Sequence, residues 1–203
     1  MPASLPGSWE NRLERLRPTW RERGEKLERL LRAARVVLPG TLSVQAVVLI
    51  VSWNETIIRI VLTECLAIEV YGLLYVLYWL LPRQREVFRI PFDEYAAKMR
   101  IVRRGPFITP RGVVSAAFAI AGMVFLGLGS IFSFVLPFGG ADPRTGIRFI
   151  GVSLWCGALG NLFGFPSFRK VDTAVLGHAF TGRLLLTASV AAIGGTILIL
   201  LPS

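Results

Sequence analysis

Five stretches of the chain are apolar over about 18 to 25 residues, the length at which a helix crosses the hydrocarbon core of a bilayer. They run over residues 36–53, 57–81, 113–138, 147–165 and 184–201. Water is absent at that depth, so each stretch must close its own backbone hydrogen bonds, which makes it a helix. The fold expected is an all-α integral membrane protein with five transmembrane helices. Because five is odd, the two termini fall on opposite sides.

Lys and Arg set the direction of threading. Residues 1–35 hold nine of them, 82–111 hold eight and 166–183 hold three, whereas 54–56 hold none and 139–146 hold only Arg144. The positive-inside rule then predicts an N-in/C-out topology, most simply in a bacterial inner membrane, with residues 82–111 as a cytoplasmic loop. Two regions follow: a cytoplasmic basic segment at 1–35 and a five-span transmembrane domain at 36–203. The first 35 residues lack the apolar run of a secretory signal and carry too many glutamates for a transit peptide, so the segment is expected to be retained.

Composition agrees. The chain is 53% hydrophobic with a mean hydropathy of +0.57. Its formal charge of +10 sits in segments that flank the apolar runs, a distribution that excludes nucleic acid as the leading partner. Cys65 and Cys156 lie within apolar runs and read as small hydrophobes.

On the cytoplasmic side, Trp9, Leu13, Leu16 and Trp20 recur at helical spacing, and Leu27, Leu30, Leu31 and Ala34 continue the pattern among Arg and Glu. Such basic amphipathic segments predict interfacial helices against anionic headgroups, divided or kinked at Pro18. Residues 93–105 repeat the pattern, with Asp93 as N-cap and Gly105 as stop. At the tip between the first two spans, either Ser52 or Asn54 can cap the second helix. Thr109 with Pro110 starts the third, and Pro166 ends the fourth.

The second span carries two carboxylates, Glu64 and Glu69. On a straight helix they stand about 7.5 Å apart along the axis and about 140° apart around it, so they cannot form one dyad. Glu64 shares a stripe with Ile68, Tyr71, Tyr75 and Tyr78, expected to face protein; Glu69 shares its side with Cys65, Gly72 and Val76. A charge at the bilayer centre costs several kcal/mol unless paired, hydrated or neutralised. No span holds a basic residue near its centre, so the candidate partners are neutral: Gln45, Ser130, Ser133, Asn161 and Thr187. Three roles remain open for the acids: hydrogen-bonding glue between helices, proton or cation handling, and contacts with another subunit.

Gly157, Gly160 and Gly164 give the fourth span a small-residue face for close helix packing. The third and fifth spans are similarly rich in small residues. His178, near the start of the last span, is a weak candidate for a macrocycle ligand or a proton group. As the sole histidine it excludes bis-histidine haem ligation within this subunit. No phosphate loop, metal-ligand motif or nucleophile motif occurs, so no catalytic residue, metal site or cofactor is implied, and the residues carry no family resemblance.

The expected function is that of a non-enzymatic membrane subunit of a larger assembly or a homo-oligomer, its glutamates serving helix or subunit contacts. The alternative is a small proton-coupled or cation-conducting transporter or channel using Glu64 or Glu69, with the tyrosines along the route. Expected partners are anionic lipid and either other membrane subunits or a second copy. Residues 171–183 fit an interfacial segment and an extension of the fifth helix equally well.

Overall fold

Turn chemistry at residues 52–54 determines how the first two helices meet. In the computed structural model, Asn54 Oδ1 accepts from the Thr56 amide at 3.0 Å, and the Ile58 amide donates to the Asn54 carbonyl at 3.1 Å. Asn54 is therefore the N-cap of the second helix. Ser52 adds a contact of 3.3 Å from its hydroxyl to the Asn54 amide. The structure describes residues 10–52, 54–80, 110–135, 143–164 and 174–201. The helix expected at 93–105, the Thr109 cap, the Pro166 stop and the side chains of Trp9, Leu13, Leu16 and Trp20 lie outside the residues and side chains described.

Every described element is helical. They are α1 (Glu10–Val51), α2 (Glu55–Leu80), α3 (Pro110–Ser130, continued by a π turn over Ile131–Val135), α4 (Pro143–Gly164) and α5 (Ala174–Leu200). All five are long and apolar enough to cross a membrane, as their sequences predict. The chain is a multi-pass membrane protein by length and composition.

One expected boundary changes, and one left open is resolved. The basic segment does not form separate helices parted at Pro18: α1 runs unbroken for 42 residues through Pro18 and Pro39, about 63 Å of helix against a core of about 30 Å. The part of its apolar stripe from Leu27 onward has a home inside the bundle. Leu27 and Leu31 are buried in the same core as Leu80, Leu184 and Leu185, and Lys26 stands 4.3 Å over the ring of Trp79 on α2. These contacts carry α1 along its neighbours. Likewise, residues from Ala174 extend the last helix.

At the centre is α5, packed against α1, α2 and α4. Its Leu185, Ala188, Ala192 and Thr196 recur at three- and four-residue steps and are all buried, forming one face along which three other helices gather. Small side chains allow the approach: an added Cβ at Gly195 would stand 2.6 Å from the Gly151 carbonyl oxygen, and one at Gly151 2.7 Å from the Gly195 carbonyl. Here α4 and α5 touch backbone to backbone.

The remaining helix, α3, docks mainly on α4. Gly122 lies against Cys156 and Gly129 against Ile150, while the Ser115 hydroxyl donates to the Gly160 carbonyl at 2.8 Å. Phe118 stacks on Phe163 and Phe125 on Phe149, with centroids 6.2 and 6.0 Å apart. Finally, Arg35 of α1 donates through Nε to the Leu162 carbonyl at 3.0 Å. That carbonyl belongs to the last turn of α4, where no amide of the helix remains to donate to it, so α1 supplies its cap.

Candidate functional site: the two glutamates of α2

Burial divides α2 into two stripes. Leu62, Cys65, Glu69, Val76 and Leu80 are buried, and all lie on one side. Glu64, Ile68, Tyr71, Tyr75 and Tyr78 are exposed on the other, Tyr71 by 73%. The angle of about 140° between the two acids thus sends one inward and the other out.

Glu69 meets two other helices directly and a third through Thr196. Gln45 Nε2 of α1 donates to Glu69 Oε1 at 3.0 Å, and the Thr196 hydroxyl of α5 lies 3.1 Å from Glu69 Oε2. The same hydroxyl is 3.1 Å from Gln45 Oε1 and 3.1 Å from the Ala192 carbonyl. Trp155 of α4 donates its Nε1–H to Thr196 Oγ1 at 3.2 Å. The convergence follows from helix direction: side chains lean toward the N-terminus of their own helix, and α2 runs antiparallel to α1 and α5, so Glu69 leans toward Gln45 and Thr196 as they lean toward it.

Counting hydrogens shows what this cluster can do. Thr196 has one hydroxyl hydrogen and three acceptors around it, so it serves one at a time. If Glu69 is neutral, its own O–H donates to Thr196, Thr196 donates to Gln45 Oε1, and Gln45 N–H returns to Glu69 Oε1. The ring closes with every member used. If Glu69 is ionised, Thr196 turns to the carboxylate and Gln45 Oε1 loses its donor. Among the described residues no Lys or Arg joins the network, and the neutral acid is the form that satisfies it fully.

Of the neutral partners named from sequence, only Gln45 reaches a glutamate. Asn161 and Thr187 are exposed, with the Thr187 hydroxyl on the Leu184 carbonyl. The Ser130 hydroxyl bonds the Leu126 carbonyl, four residues back on its own helix, and Ser133 lies beside Gly146. Thr196 and Trp155 were missed. A signal existed for Thr196, which continues the helical spacing of Leu185, Ala188 and Ala192; Trp155 offered none beyond being an indole, inside an apolar run, in need of an acceptor.

The expectation that the Glu64 stripe faces protein is not met within the chain, where it lies on the molecular surface. At the end away from Glu64 the stripe joins a ring cluster: Tyr75 and Tyr78 pack edge-on to Trp79, with centroids 6.3 and 5.4 Å away. Gly160 and Gly164 lie against Ser115 of α3, but Gly157, expected beside them, is exposed with open space where a Cβ would sit.

His178 is buried with its ring directly against Gly24 of α1. Its Nδ1 has no hydrogen-bond partner among the described residues, and Gly24 of α1 packs beside Nε2. Burial pushes the imidazole below 6.5, partly offset by the charges of Glu28 and Glu25. Among the described residues no group of three or more His, Cys, Asp or Glu gathers as a metal site.

Known proteins offer no match. No family model, curated protein or solved structure is similar to this chain.

Proposed function

We propose that this chain is a non-enzymatic integral membrane subunit, threaded N-in and C-out in a bacterial inner membrane, that works by assembling with other membrane helices. One observation carries the reading: Glu64, with Tyr71 and Tyr75, projects from the surface of α2 at the depth of an apolar span. A carboxyl group there needs a hydrogen-bond partner that lipid tails do not provide. Glu69 serves the inside of the same subunit, tying α1, α2, α4 and α5 together. The uneven distribution of Lys and Arg supports the threading.

Native mass spectrometry of the protein, extracted from its own membranes in mild detergent, tests this reading. A complex of defined stoichiometry is expected, and Glu64→Leu should reduce it while leaving the subunit folded. A strictly monomeric protein overturns the proposal.

A second reading, proton-coupled or cation transport, draws support from the mobile hydrogen of Thr196 beside Glu69. It requires that Glu69→Gln abolish flux in liposomes without disturbing the fold. Unchanged flux excludes that use of Glu69.

A further inference from the structure

We propose that the end of the bundle bearing the turn at residues 52–54 binds one anionic phospholipid, its phosphate held by Arg148 and Arg144 of α4 and an acyl chain laid in the adjoining groove between α4 and α5. Such a site is independent of whether the chain assembles or carries protons. It needs only a bilayer around the helices.

An unmet donor comes first. Arg148 lies about 8 Å into α4 from Pro143, and its Nε is buried with no hydrogen-bond partner among the described residues. An arginine that reaches the membrane surface unaided buries its methylene stem and keeps its charged head wet. Here the head itself begins inside, so it needs an acceptor that the described residues do not supply.

The surroundings show which sign is missing. Arg148 lines a narrow cleft with Arg59 and Glu55 of α2, and every other residue lining it is Leu or Ile. Glu55 stands four residues before Arg59 on the same helix and balances one positive charge, which leaves one in excess. Arg144, one turn before Arg148, adds a second: the two are about 6 Å apart along the axis and about 40° around it. Two long side chains at that spacing can converge on one phosphate group, whose oxygens match the guanidinium fork. Threading does not account for these arginines, because the Lys and Arg bias of the loops favours the opposite end of the bundle.

The groove selects a lipid over a free anion. Arg144 stands at one end of an open groove of about 290 Å³ whose other lining residues, Ile147, Ile150, Leu198 and Leu201, are all aliphatic. Charge near the helix ends with an aliphatic channel beneath is the order of groups in a phospholipid, headgroup outermost and acyl chain below. A partner's carboxylate, or a free phosphate, would satisfy the arginines and leave the groove empty. An anionic phospholipid uses both, and its net negative charge suits a site with positive charge in excess.

Lipid titration of the full chain tests this. The protein, purified in mild detergent and stripped of lipid, is given phosphatidylglycerol, phosphatidylcholine or inorganic phosphate and followed by native mass spectrometry and by its thermal midpoint. One phosphatidylglycerol per chain is expected, retained about tenfold more tightly than phosphatidylcholine and raising the midpoint. Arg148→Gln should weaken that binding about tenfold, and Arg148→Lys, which keeps the charge without the fork, by less. Arg144→Gln, at an exposed position, should act in the same direction and guards against a folding defect at Arg148. Leu198→Trp, which fills the groove, should weaken phosphatidylglycerol binding. Equal retention of the two lipids, or binding unchanged in both glutamine variants, would overturn the site. Stabilisation by inorganic phosphate that matches the lipid, with Leu198→Trp neutral, would make it a free-anion site and overturn the lipid. A partner protein released by Arg148→Gln, with no lipid bound, would assign the arginines to a subunit contact instead.

Discussion

Glu64 and Glu69 share a residue type and a helix, yet their substitutions should differ in kind. Glu69→Leu leaves Gln45 Nε2 without its acceptor in the bundle core and should cost about 1 to 2 kcal/mol, read as a lowered thermal midpoint in detergent. Glu69→Gln keeps a donor and an acceptor in place and should cost under about 1 kcal/mol. If the two variants melt alike, the hydrogen-bonded ring contributes little. Gly24→Ala is the other sharp residue test: its new Cβ would collide with the buried imidazole of His178, and a loss of about 1 to 3 kcal/mol is expected. At this scale the sequence was partly legible. Gln45 could be named because a polar residue in an apolar run must bond something; Thr196 and Trp155 could not, since which helices meet depends on long-range packing that no local spacing records.

Helix boundaries were more open to inspection, because hydropathy and punctuation act locally. Asn54 caps α2 as an Asx residue should, and the apolar runs recur within α1 to α5. The end of α1 that went astray and the start of α5 that stayed open belong together: each extension supplies the surface the other covers, Gly24 against His178. An amphipathic stripe looks the same whether its cover is lipid or a second helix. That shared contact is sensitive to acid. The His178 imidazole is held below 6.5 by burial, more than Glu28 and Glu25 raise it, so the neutral ring is the form the fold prefers. Its contribution is fully present above about 6.5 and lost as the pH falls through the lowered value. Thermal unfolding from pH 8 to pH 5 should show a decline in this window that His178→Gln flattens. A second test lies at the α4 contact: Gly195→Ala places a methyl 2.6 Å from a backbone oxygen and should lower the thermal midpoint more than Gly194→Ala, whose nearest neighbour is the end of Leu154 at 3.6 Å.

For the whole molecule, if all five long apolar helices cross, the two ends fall on opposite faces, and labelling of cysteines added at each end of the chain in sealed vesicles should reach one end and spare the other. The all-helical class and the five helices of spanning length were readable from the five apolar runs alone. The arrangement was not: α3 clasping α4, and α5 at the centre, arise from backbone approach at glycines such as Gly151 and Gly195, whose counterparts lie distant in sequence. The central place of α5 has a consequence for biosynthesis. Ribosomes deliver helices in order, and α5 emerges after the four that it joins. Until then Gln45 and Glu69 lack Thr196, and the faces of α1, α2 and α4 meant for α5 stand open in the translocation machinery. A nascent chain stalled before residue 174 would present a proteolytic surveillance system with polar groups stranded in lipid, and completion of the last helix is the event that withdraws them.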